Sequence, residues 1–149
     1  MSKQDKNLLR VTSIYSNLDT EPLELPLVYP KISAGFPSPA ENYFEERLDL
    51  NKTLIKHPAA TFYVKVEGNS MVDAGIFSGD ILVVDRSLQP QNNSIVIAVL
   101  DGEFTVKKLR KEDNKLYMLP ENPDFAPIEI NEETDFLIWG VATYNIHKL

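Results

Sequence analysis

Ser94-Ile-Val-Ile-Ala-Val-Leu100, Asp101-Gly102, Glu103-Phe-Thr-Val-Lys-Lys-Leu109 is the stretch that decides the fold of this 149-residue chain. Two β-prone runs flank Asp-Gly, a pair favoured in two-residue type I′ turns because both positions must take positive φ. With that turn, facing positions across the hairpin sum to 203, so Lys107 faces Val96. Its neighbours on the same face are Ala98, Thr105 and Leu109. A cation therefore stands on an apolar or weakly polar strand surface. The plain structural explanation is an edge-strand lysine that discourages sheet-to-sheet aggregation.

Outward from the hairpin the same texture continues. Thr61-Phe-Tyr-Val-Lys-Val66 alternates, with Phe62, Val64 and Val66 on one side, and Ile81-Leu-Val-Val-Asp85 is short and apolar. Leu116–Leu119, Phe136–Trp139 and Val141–Ile146 supply further strands. Gly68, Ser78-Gly79-Asp80, Pro90, Asn92-Asn93, Pro120 and Asn122-Pro123 punctuate them. The pattern predicts a mostly-β compact domain of many short, largely antiparallel strands. One helix is expected at about 39–48, where Ser38-Pro39-Ala40-Glu41 forms a capping box ahead of Tyr43, Phe44 and Leu48.

Residues 1–34 read as an extended N-terminal arm and 35–149 as the β-rich domain. Glu21–Pro30 holds three prolines, each of which fixes φ and removes a donor. Leu23, Leu25 and Leu27 alternate, so one face of the arm could lie along another surface. The arm is neutral, with four Lys/Arg and four Asp/Glu, and the domain carries the whole net charge of −7. That balance argues against direct nucleic-acid binding, which normally shows a basic face. No run of apolar residues is long enough to cross a membrane and the N-terminus has no signal-peptide character, so a cytoplasmic protein without membrane contact is expected. The chain has no cysteine and two histidines, His57 and His147, which excludes a disulfide scaffold, a thiolate zinc site and a cysteine nucleophile. No metal and no cofactor are expected.

Gly68-Asn69-Ser70-Met71 follows a strand. A serine behind a glycine turn can present a nucleophile with backbone N–H groups nearby, although most such turns are only turns. A serine–histidine–aspartate arrangement is unattractive: His57 precedes Pro58 in a loop with no carboxylate evidently beside it, and His147 is the third residue from the C-terminal end.

The combination is more specific than its parts. Gly68-Asn-Ser-Met71, Ser78-Gly-Asp-Ile-Leu-Val-Val-Asp85 and Asp101-Gly-Glu-Phe-Thr-Val-Lys107 together resemble the LexA/UmuD family of self-cleaving serine–lysine peptidases. Ser33-Ala-Gly-Phe-Pro-Ser-Pro-Ala40 resembles its scissile region, and the likeness covers residues 32–149. Gly35–Ala40 and Asp101–Leu109 are characteristic of the UmuD branch rather than of the repressors.

The resemblance implies Ser70 as nucleophile, Lys107 as general base, the backbone N–H groups of Asn69 and Ser70 as oxyanion donors, and Ala34–Gly35 as the cleaved bond. It further implies a homodimer whose self-cleavage is assisted by a RecA–single-stranded-DNA filament in the SOS response. The product, Gly35 to Leu149, would then serve a UmuC-type error-prone translesion polymerase as accessory subunit. Lysine acts as a base only when neutral, and burial among Val96, Ala98 and Leu109 is the kind of setting that lowers its pKa. Lys108 alternates to the other face and is not the base. A LexA-like repressor is the alternative; it would need a helix-turn-helix module before the scissile bond, where this sequence has a neutral, proline-broken arm. A signal-peptidase relative would need a membrane anchor, and a binding module with a dead site would have no use for both Ser70 and Lys107.

Overall fold

The computed structural model describes residues 9–16, 21–30 and 43–149. By its internal contacts the chain divides into two compact units, residues 1–17 together with 57–149, and residues 18–56. The Ala34–Gly35 bond lies outside the described residues.

In chain order the strands are β1 (Arg10–Ser16), β2 (Leu25–Pro30), β3 (Tyr43–Leu48), β4 (Thr61–Glu67), β5 (Ile81–Asp85), β6 (Ile95–Leu100), β7 (Glu103–Glu112), β8 (Lys115–Leu119), β9 (Ile128–Ile130) and β10 (Phe136–Ile146); a short helix, α1, spans Leu50–Leu54. The mostly-β, antiparallel architecture expected from the sequence is the one observed. The large unit holds an eight-stranded sheet in the order β1-β4-β5-β10-β6-β7-β8-β9. β1 also pairs with β7, through Arg10 and Thr105. Six strands thus close into a ring in which β1 is the stave between β4 and β7, and β8 and β9 extend outward from β7.

The hairpin register is the one the turn predicted. Val96 faces Lys107, Ala98 faces Thr105 and Leu100 faces Glu103. Asp101 and Gly102 both take positive φ, +49° and +82°. β7 is an interior strand, paired with β6 on one side and β8 on the other. Lys107 is therefore not an edge lysine. Two apolar clusters lie on opposite faces of this part of the sheet: Leu9, Val64, Val66, Met71, Ile76, Leu82, Val84, Ile97 and Val106 in one, and Val96, Ala98, Leu109, Met118 and Val141 in the other.

β10 runs unbroken through Gly140, which the sequence reading treated as a boundary. Its register against β6 shifts between Ile138 and Gly140, and against β5 between Ala142 and Tyr144. Gly140 is required by a close approach: a Cβ there would meet Val84 Cγ1 at 2.6 Å. The glycine lets two strands pack tightly and does not end either of them.

The small unit corrects the helix expected at 39–48. Residues 39–42 lie outside the described residues, and Tyr43–Leu48 is β3, antiparallel to β2 over six pairs from Leu25–Leu48 to Pro30–Tyr43. A capping box offers two local hydrogen bonds, whereas the ladder satisfies backbone groups along a whole strand. Arg47 adds a hydrogen bond to the Glu24 carbonyl at 3.2 Å. The helix begins two residues after β3 instead, where the Asp49 carboxylate accepts from the Asn51 N–H at 3.0 Å. Leu23, Leu25 and Leu27, alternating in the sequence, remain exposed.

Candidate active site

Ser70 and Lys107 meet at the seam that β1 covers. Gly68, at φ +114°, turns the chain out of β4. The turn that follows is pinned through its carbonyls. Asn69 C=O accepts from Asn122 Nδ2 at 2.8 Å, and Ser70 C=O accepts from the Glu121 N–H at 2.8 Å. Neither the Asn69 nor the Ser70 N–H donates to another backbone carbonyl outside the strand ladders among the described residues. Asn122-Pro123 had been legible only as a turn; the sequence carries no signal that its loop braces the serine.

Lys107 arrives from β7. Its ammonium nitrogen lies 3.2 Å from Ser70 Oγ, 3.2 Å from Thr105 Oγ1 and 3.1 Å from the Val106 carbonyl oxygen. Three acceptors match the three N–H bonds of an ammonium. Lys107 is 1% exposed and Ser70 is fully covered. Burial penalises the charged amine and lowers its pKa from 10.5 to about 8. About a tenth of the lysine is then neutral at pH 7, against less than a thousandth of an ordinary one. The neighbours that the hairpin register assigned, Val96, Ala98 and Leu109, are buried as expected. Lys108 points elsewhere and forms an ion pair with Glu121.

Both histidines do have carboxylate partners, contrary to the reading of His57 as unaccompanied. His57 Nδ1 lies 2.6 Å from Asp85 Oδ2, and His147 Nδ1 lies 2.5 Å from Asp80 Oδ1. These pairs join residues 28 and 67 positions apart, which local sequence does not reveal. Burial alone would raise the two aspartates, but hydrogen bonds outweigh it: from Phe77 N–H, Asn145 and His147 on Asp80, and from Ser87 and His57 on Asp85, so both pKa values fall below the ordinary range. Ser70 Oγ is hydrogen-bonded by Lys107 and by the Leu9 N–H, and by neither histidine.

Leu9 is the residue that the sequence reading missed. Its N–H donates to Ser70 Oγ at 3.0 Å, its carbonyl accepts from Thr105 Oγ1 at 3.3 Å, and it is wholly buried in the apolar cluster beside the serine. Among the described residues no group of three or more His, Cys, Asp or Glu gathers as a metal site would require, and no helix is long and apolar enough to cross a membrane.

A buried serine hydroxyl within hydrogen-bond distance of a lysine whose pKa is depressed is an arrangement in which the neutral amine can take the hydroxyl proton. The Peptidase S24-like family matches residues 26–143, and the chain belongs to that family. It is 47% identical over 132 residues to protein SamA of Salmonella typhimurium, covering 87% of this chain and 91% of that one. It is 43% identical over 123 residues to protein MucA of Escherichia coli, covering 82% and 84%. It is also 40% identical over 119 residues to the LexA repressor of Ectopseudomonas mendocina, covering 79% of this chain and 58% of the repressor.

Proposed function

We propose that this chain is a UmuD-like protein of the SOS response that cuts its own Ala34–Gly35 bond with a Ser70–Lys107 dyad. The observation that carries the reading is the 3.2 Å contact between Lys107 Nζ and Ser70 Oγ, with both groups withdrawn from water. Neutral Lys107 takes the hydroxyl proton as Ser70 Oγ attacks the Ala34 carbonyl carbon. The N–H groups of Asn69 and Ser70 hold the oxyanion. The Lys107 ammonium then protonates the departing Gly35 nitrogen, leaving an ester on Ser70. Water, deprotonated by Lys107, hydrolyses that ester and frees residues 1–34 from Gly35–Leu149. Ala34 is small and Gly35 lets the chain bend into the cleft without a side-chain clash.

A RecA–single-stranded-DNA filament would promote the reaction by favouring the conformation that brings the bond to Ser70. The Gly35–Leu149 product, as a homodimer, would serve a UmuC-type polymerase in translesion synthesis, with DNA contact left to those partners. The likeness to SamA and MucA over more than four-fifths of their lengths favours this reading over a LexA-like repressor, of which the likeness spans 58%.

The test is incubation of the full-length protein with RecA, ATP and single-stranded DNA, followed by mass spectrometry. One new N-terminus at Gly35 is expected. Gly35→Glu should block its appearance while the circular dichroism spectrum stays that of the wild type. Normal processing of that variant would move the cleaved bond elsewhere.

A further inference from the structure

Ser70 does not stand open to a substrate. The residue that covers it is Leu9, which leads directly into β1; that strand lies antiparallel to β4 from Arg10–Glu67 to Ser16–Phe62 and touches β7 at Thr105. An extended peptide bridging these two strands is what a peptidase cleft of this construction would bind, because strand addition offers main-chain hydrogen bonds to any sequence. The polar groups of Leu9 are nevertheless turned the wrong way for cutting. The serine oxygen meets an N–H, which occupies a lone pair needed for attack, and the Leu9 carbonyl is held by Thr105 Oγ1. With Lys107 donating as well, Ser70 Oγ accepts two hydrogen bonds in a resting arrangement.

The way β1 is held also matters. Leu9 is fully buried, whereas Thr12, Ile14, Tyr15 and Ser16 are exposed, and the register slips between Val11 and Ser13. Leu9, with Val11 packed partly against the same cluster, anchors the end that lies on the dyad, and the far end is a largely solvated stretch that can peel away.

We propose that β1 is a built-in competitor for the substrate cleft: a non-cleavable self-peptide, anchored by Leu9, that must leave before the bond to be cut can reach Ser70. The proposal rests on the peptidase reading above. It gives the cleft a ligand class, an extended peptide with an aliphatic side chain seated beside the nucleophile. It also assigns a second effect to self-cleavage: residues 1–34 include β1, so the product loses the covalent tether of its own competitor.

The test is Leu9→Asn in the full-length protein. Asparagine weakens the anchor without placing a charge near Lys107, and Leu9→Met, which keeps it, is the control. Unassisted cutting at pH 8 should rise on the order of tenfold in Leu9→Asn, the population change that loss of a buried leucine's anchoring allows. It should stay at the wild-type rate in Leu9→Met. A synthetic peptide of residues 6–16, added in trans, should slow Leu9→Asn cutting again, and the same peptide carrying Leu9→Asn should not. A fluorescent form of the peptide should bind a Ser70→Ala/Leu9→Asn protein saturably. A folded Leu9→Asn protein that cuts at or below the wild-type rate overturns the proposal, as does a peptide that fails to bind. Cutting absent from every protein, even at pH 10, while the peptide still binds, would overturn the peptidase reading itself, and with it β1 as a competitor, leaving a strand docked in a cleft that does not cut.

Discussion

Lys107→Arg is expected to give a folded protein that does not cut itself. Arginine keeps the charge and much of the length of the lysine, but it does not lose its proton in the working range. Without a base, Ser70 keeps its hydroxyl proton and remains a poor nucleophile. General-base assistance contributes roughly a hundred- to ten-thousandfold, so cutting should fall by two to four orders of magnitude. Lys107→Ala should lose as much, and Ser70→Ala should be inert for want of a nucleophile. Gel analysis of unassisted cutting at pH 7 and pH 10, with circular dichroism as the folding control, reads the three variants beside the wild type. Brisk cutting by a folded Lys107→Arg protein would remove Lys107 from the mechanism.

The second large effect is on stability, and it has the opposite sign. A lysine pulled from 10.5 to about 8 by burial costs the folded state about 3 kcal/mol wherever both folded and unfolded chains carry the proton, which is below pH 8. Between pH 8 and 10.5 the unfolded chain holds a proton that the folded one has shed, so stability gains as the pH rises. Lys107→Met replaces the buried cation by an apolar side chain of similar volume. In a Ser70→Ala background, which prevents cutting, it should raise stability at pH 7 by about 2 kcal/mol, somewhat less than the full cost because the Val106 carbonyl loses its donor. The gain should fade by pH 10.5. Urea unfolding at the two pH values measures it. An equal gain at both would mean that charge burial is not its source.

What the sequence made legible is local or short-range. The Asp101-Gly102 turn admits one register, and that register sets Lys107 opposite Val96 and on the face of Ala98, Thr105 and Leu109, as the structure has it. Burial of the amine followed from those neighbours. The partnership with Ser70, 37 residues away, did not; it came from the family resemblance, and the structure sets the two side chains 3.2 Å apart. What stayed hidden depends on distant pairing. Tyr43–Leu48 follows a good local helix start, yet it pairs as a strand with Leu25–Pro30. Arg10–Ser16 is short and mixed in polarity, and nothing in it names β4, some fifty residues on, as its partner. The histidine–aspartate pairs were invisible for the same reason. Gly140 looked like a strand boundary because a turn glycine and a close-packing glycine look alike in one sequence.

The most direct measurement of the central claim, that the neutral amine of Lys107 activates Ser70, is the pH dependence of unassisted cutting by the full-length protein. Below the pKa of Lys107 the neutral fraction grows about tenfold per pH unit. The rate should climb with that slope and level off above about pH 8, with pH 10 roughly ten times faster than pH 7. A rate that does not change between pH 6 and 9, or that already levels off in the ordinary histidine range at about 6.5, would contradict it.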